Sequence, residues 1–162
     1  MKKLSLALVI FTALSFMLYG CGDENHLNFT DEILVCYQSI PSLEESDEAI
    51  VNVTVYNSGK GIYEKITPEG KQASVEYNID ESGVKSFQNI VARVNFMELD
   101  EDVSTDSQDG TFEYITAYAD GTSHKSGGLN PTVDGFTRLK EVIFDSVPKS
   151  AIEECDAELA EN

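Results

Sequence analysis

The chain has 162 residues, with 29 acidic side chains against 11 basic ones and a formal net charge of −18. Such a charge opposes nucleic acid and anionic lipid surfaces and sets nucleic acid aside as a partner. Seven Tyr and eight Phe, with many Val and Ile, exclude a disordered chain, and the length suits one domain with a real core.

Lys2 and Lys3 open the chain. A run from Leu4 to Tyr19 follows, interrupted only by Ser5, Thr12 and Ser15, and ends in Leu18-Tyr19-Gly20-Cys21. The run has the length of a secretory h-region and falls short of the roughly 20 apolar residues of a membrane span. Gly22-Asp23-Glu24-Asn25-His26 then turns polar with no basic stop-transfer cluster. This segment resembles the signal peptide of a bacterial lipoprotein, with Leu18, Gly20 and Cys21 on the lipobox pattern and Tyr19 where a small residue is usual. The resemblance covers residues 1–21. It implies removal of residues 1–20, lipidation of Cys21, attachment to the lipid bilayer and a place in the bacterial cell envelope, expected at the outer membrane. Cleavage without lipidation, giving a secreted protein, is the alternative. Residues 21–28 then form the lipidated cysteine and a tether, and residues 29–162 a single globular domain.

The cysteines are Cys21, Cys36 and Cys155. Lipidation of Cys21 removes the odd thiol. Cys36 and Cys155, near the two ends of the mature chain, are then expected to pair in an oxidising compartment. A bridge closing so long a loop stabilises by about 4–5 kcal/mol in the chain-entropy account. The alternative is two free cysteines packed as small apolar residues. Neither belongs to a CxxC pair, and with only His26 and His124 as histidines a zinc site has little to build on.

Phe29 to Ile40 fits a helical stripe and also a short apolar strand, Ile33 to Tyr37; the strand is preferred. Ile50 to Tyr56 alternates cleanly as a strand, Asn57 to Gly61 is a turn, and Ile62 to Thr67 returns. Ala73 to Ile79 is a further strand after the Pro68–Lys71 turn, and Asp80 to Gly83 turns again. Ile90 to Leu99 is expected as a longer strand. Asp100 to Gly110 is an acidic loop, Thr111 to Ala119 an alternating strand, and Asp120 to Asn130 a long Gly- and Ser-rich loop. Phe136, Leu139, Val142 and Ile143 mark a helix capped by Thr132 or Asp134. Ile152, Cys155 and Leu159 mark a second after Pro148, with Ser150 as cap. The expected class is α+β: an antiparallel meander of five or six strands with one or two C-terminal helices, against a β-sandwich as the alternative.

Among residues that carry chemistry, Asp102, Ser104, Asp106 and Glu113 stand at positions 1, 3, 5 and 12, the ligand spacing of an EF-hand calcium loop. Ser107 replaces the turn glycine, Asp109 stands where an apolar residue is usual, and the flanks read as strands. A looser calcium site would use Asp100, Asp102, Asp106 and Asp109. The competing reading is a solvated loop whose charges guard against aggregation. His124 lies between Ser123 and Ser126, but no nucleophile-elbow frame surrounds them. Glu64, Glu76, Asp80 and Glu113 are carboxylates able to pair across strands, in a chain where acids are too abundant for this to be informative. Tyr56, Tyr63, Tyr77, Phe112, Tyr114 and Tyr118 form an aromatic set, read as core rather than as an exposed sugar- or partner-binding stripe. The functional expectation is a lipid-anchored, non-catalytic binding or assembly module with a basic protein or glycan as partner. The alternatives are an inhibitor of a basic secreted enzyme acting through residues 100–110, and a calcium-binding envelope module.

Overall fold

A computed structural model describes residues 26–42 and 47–161. The signal segment 1–20 and Cys21 lie outside the described residues. The strands are β1 (Ile33–Pro41), β2 (Ile50–Tyr56), β3 (Lys60–Ile66), β4 (Gln72–Asn78), β5 (Thr111–Ala119) and β6 (Thr122–Leu129). They form one sheet in the order β4-β3-β2-β1-β5-β6, with every neighbouring pair antiparallel. The helices are α1 (Glu81–Arg93), α2 (Asp134–Ser146) and α3 (Lys149–Glu161), with a 3-10 turn at Phe96–Glu98. The fold is α+β, as expected. The first four strands meander outward from β1; α1 then carries the chain back so that β5 joins β1 on its other edge.

Parity assigns the two faces. Val35, Tyr37, Val53, Val55, Tyr63, Val75, Tyr77, Ile115 and Ala117 are buried in register across the sheet, and all three helices cover that face. Phe87 and Val91 of α1, Phe136, Leu139 and Ile143 of α2, and Ala151 and Cys155 of α3 close the core. Lys65 pairs with Asp156 at 2.5 Å and Tyr77 meets Ser146 at 3.5 Å, so α3 and the end of α2 are also tied polar-to-polar onto the sheet. Gly61 is needed for this packing, because a Cβ there would lie 2.3 Å from the Tyr77 ring. Leu27 packs on the core and Asn28 exchanges hydrogen bonds with Asp120, so the packing includes two residues ahead of Phe29.

Three expectations about elements are corrected. Ile90 to Leu99 is not a strand: Asp80 caps α1 by accepting from the Gly83 N–H at 2.7 Å, and Val84, Phe87 and Val91 form its buried stripe. Ile90 and Val94 ride on that stripe, which gave a misleading alternation. Residues 120–130 are not a long loop. Asp120 and Gly121 take φ of 54° and 69°, a two-residue turn whose twist matches an antiparallel hairpin, and β6 follows. Its Ser and Gly content hid the strand. The helix 134–146 begins after Val133, capped by neither Thr132 nor Asp134, and Ser150 lies inside α3. With helices covering one face of a single sheet, the β-sandwich alternative falls.

The Cys36–Cys155 pairing is corrected as well. Both thiols are free. Val35 and Tyr37 take the core side of β1, so Cys36 must point to the opposite face, where its Sγ lies 3.8 Å from Thr54 Oγ1. Cys155 is fully buried under α3, with its Sγ 3.6 Å from the Ala73 carbonyl. The sheet stands between them.

Candidate functional site

The face of the sheet opposite the helices, uncovered among the described residues, carries the arrangement with the most chemistry. Three side-chain hydrogen bonds run across four strands. Gln38 on β1 donates to Asn52 on β2 at 3.1 Å, Asn52 donates to Glu64 on β3 at 2.7 Å, and Gln72 on β4 donates to the other Glu64 oxygen at 2.5 Å. Successive strands supply these residues because Gln38 is in register with Asn52, and Asn52 with Glu64. The Glu64 carboxylate is therefore held by two amides, and Gln38 still offers its carbonyl oxygen and an N–H.

An aromatic row meets this ladder. Phe112, Tyr114 and Tyr118 lie along β5 on the same face, and Tyr114 is in register with Gln38. Phe112 is 36% exposed, one of the two large apolar side chains that are so among the described residues. Lys125 on β6 places its ammonium 3.9 Å above the centre of the Tyr114 ring, a cation–π contact. Where row and ladder cross there is a groove of about 300 Å³, lined by Cys36, Gln38, Asn52, Thr54, Glu64, Tyr114, Thr116 and Lys125. Burial pushes the Cys36 thiol up, outweighing the hydrogen bond with Thr54, so this cysteine is a poor nucleophile.

The expected calcium ligands do not converge. Glu113 faces the helices, where it accepts from the Tyr37 hydroxyl at 2.5 Å and pairs with Lys140 on α2. Asp102 instead accepts from the Ser104 N–H at 3.0 Å and hydroxyl at 2.5 Å, and these bonds hold its carboxyl below the usual range. Among the described residues no three His, Cys, Asp or Glu side chains form a metal-holding group, which also removes the looser set of Asp100, Asp102, Asp106 and Asp109. The segment has a structural task. Val103 N–H donates to Gly127 O, Thr105 N–H to Leu129 O and Gly127 N–H to Glu101 O, so residues 101–105 lie along the free edge of β6 and cover it. Gly128 makes room: its φ is +138°, and a Cβ there would lie 2.2 Å from Ser104 Oγ.

The serine–histidine pairing does not form. Ser123 is on the open face and His124 on the helix face, edge-on to Phe96 at 5.9 Å, with its Nε2 buried and unpartnered among the described residues. Ser126 is buried and donates to the Asp100 carbonyl at 2.7 Å. Of the carboxylates, Glu76 pairs with Lys60, Asp80 caps α1, and Glu64 and Glu113 stand on opposite faces. The aromatic set divides: Tyr63 and Tyr77 are core, while Tyr56, Phe112, Tyr114 and Tyr118 share the open face. Sequence reading missed Gln38, Asn52, Gln72 and Lys125. Their alternation with core residues marks them as outward-facing, but which strands are neighbours is not written in that alternation. No protein-family model and no curated protein matches the chain. Among the described residues no helix is long and apolar enough to cross a membrane.

Proposed function

We propose that the chain is an exported envelope protein, anchored in the lipid bilayer through Cys21, whose domain is a non-catalytic binding module that meets its ligand on the open face of the sheet. One observation carries the module reading: a pre-ordered polar ladder and an aromatic row share a sheet face that no helix among the described residues covers. Ligand sites commonly combine an apolar wall with a few convergent polar groups in a concavity of about 300–1,000 Å³, and this groove falls at the small end of that range. The polar start, apolar run and cysteine of residues 1–21 support export and lipidation. The inhibitor reading is less well supported, because residues 101–105 lie along β6 instead of projecting toward a partner.

Two measurements test the proposal. Palmitate labelling in a bacterial host should mark the native chain and not Cys21→Ala, which should leave the membrane fraction. A photo-crosslinking residue at Thr116, on the open face, should give adducts in the envelope; one at Glu153, on α3, should not. Adducts from Glu153 alone would refute the module reading.

A further inference from the structure

We infer that the ligand of the open face is a neutral, extended oligosaccharide; this rests on the binding-module reading above and names the occupant. The charge distribution comes first. Among the strand residues that point to this face, the charged ones are Lys60, Glu64, Glu76 and Lys125, two of each sign. In a chain of net charge −18, this is a neutral surface. The acidity lies elsewhere, on α3 with Glu153, Glu154, Asp156, Glu158 and Glu161 and on residues 100–109. A basic partner would be drawn to those regions, and an anionic one repelled by the molecule as a whole. A neutral ligand is the occupant this face complements.

The hydrogen-bonding groups narrow the class. Gln38, Thr54 and Thr116 in the groove each both donate and accept, as a polyhydroxylated ligand does. Glu64 is a fixed acceptor whose position is set by Asn52 and Gln72. Lys125 pairs with no carboxylate among the described residues and offers donors over the groove. The aromatic row supplies the remaining surface. Phe112 and Tyr114 are two residues apart on β5, a step of about 7 Å along the strand. The electron-rich face of Phe112 attracts the weakly positive C–H face of a pyranose ring, while Tyr114 carries the Lys125 ammonium above its ring as a donor beside it. An extended chain laid along β5 would meet the row with its rings and the ladder with its hydroxyls, at the crossing of Tyr114 and Gln38.

The test uses the full chain purified from membranes in detergent. The probes are maltohexaose, cellohexaose and chitohexaose as neutral arms, polygalacturonate as the anionic arm and cytochrome c as the cationic arm. The chain has no Trp, so its own tyrosine emission reports ligand on Tyr114 and Tyr118. Alkylation of Cys36 by N-ethylmaleimide, mapped by mass spectrometry, reports occupancy of the groove, with buried Cys155 as the internal control. We expect at least one neutral hexasaccharide to bind by about 1 mM, to slow alkylation of Cys36, and to keep its affinity from about 50 to 500 mM salt. Gln38→Ala and Phe112→Ala should each weaken binding about tenfold with unchanged melting. If a variant fails to fold, protection of Cys36 in the native chain decides. No binding of any neutral probe, or binding without Cys36 protection, overturns the oligosaccharide. Protection of Cys36 by polygalacturonate or cytochrome c alone overturns the oligosaccharide and leaves the open-face reading standing. Absence of protection by every probe, with crosslinks from Glu153 and not Thr116, overturns both.

Discussion

Lys140→Met perturbs a charged contact that the fold has drawn under α2, between Lys140 and Glu113. The Glu113 side chain is 12% exposed and accepts from both Lys140 and the Tyr37 hydroxyl. Removing the ammonium leaves a carboxylate, largely out of water, with a neutral phenol as its remaining donor. Breaking a fully buried pair costs about 3–5 kcal/mol. The Lys140 side chain is 35% exposed, so water screens the pair and can reach the vacated end, which lowers the expected loss to about 2–3 kcal/mol. Adding Glu113→Gln removes the orphaned charge while keeping an acceptor for Tyr37, so the double variant should return to within about 1 kcal/mol of the native protein. Urea unfolding followed by far-ultraviolet circular dichroism measures both, compared at equal m. A single variant that loses less than about 0.5 kcal/mol, or a double variant no more stable than the single, would refute the assignment of Glu113 as a desolvated, partner-dependent carboxylate.

The other expectations concern titration, the covered edge and the thiols. Burial raises the pKa of Tyr37, Tyr63 and Tyr77 above the ordinary value of 10.0, and Glu113 raises Tyr37 further. The folded state therefore keeps protons that the unfolded chain releases, and stability is full below pH 10 and falls above it, by up to about 1.4 kcal/mol per pH unit for each such tyrosine. A near-ultraviolet titration should show these tyrosines ionising only as the protein unfolds; ionisation of Tyr37, Tyr63 and Tyr77 near pH 10 in a still-folded chain would contradict it. Gly128→Ala should drive Ser104 and Asp102 off β6, costing about 1–3 kcal/mol, speeding hydrogen exchange at Val103 and Thr105, and promoting self-association through the bared edge. Unchanged exchange at both amides would show that residues 101–105 do not depend on that glycine. For the thiols, Cys36 should alkylate slowly in the folded protein and Cys155 only on unfolding, since burial raises both. Two blocked thiols that appear only after reduction would restore the disulfide.

Alternation along single strands was legible without the structure. Val51, Val53 and Val55, or the odd-numbered residues from Glu113 to Ala119, declare which side of their strand is buried because side chains on a strand alternate with a period of two. The stripe of Phe136, Leu139 and Ile143 likewise declares a helix. The class and the order of most elements follow from such local patterns. What local pattern does not hold is which strands lie side by side. That Gln38, Asn52, Glu64 and Gln72 form one ladder depends on β1 pairing with β2, β2 with β3 and β3 with β4, and that it meets Tyr114 depends on α1 returning the chain so that β5 pairs with β1 as well. The same pairings place Cys36 and Cys155 on opposite sides of the sheet, turn Glu113 toward Lys140 on α2, and divide six aromatics between core and open face. These are contacts between residues far apart in the chain, decided by burial of the whole sheet against its helices, and no single segment's periodicity encodes them.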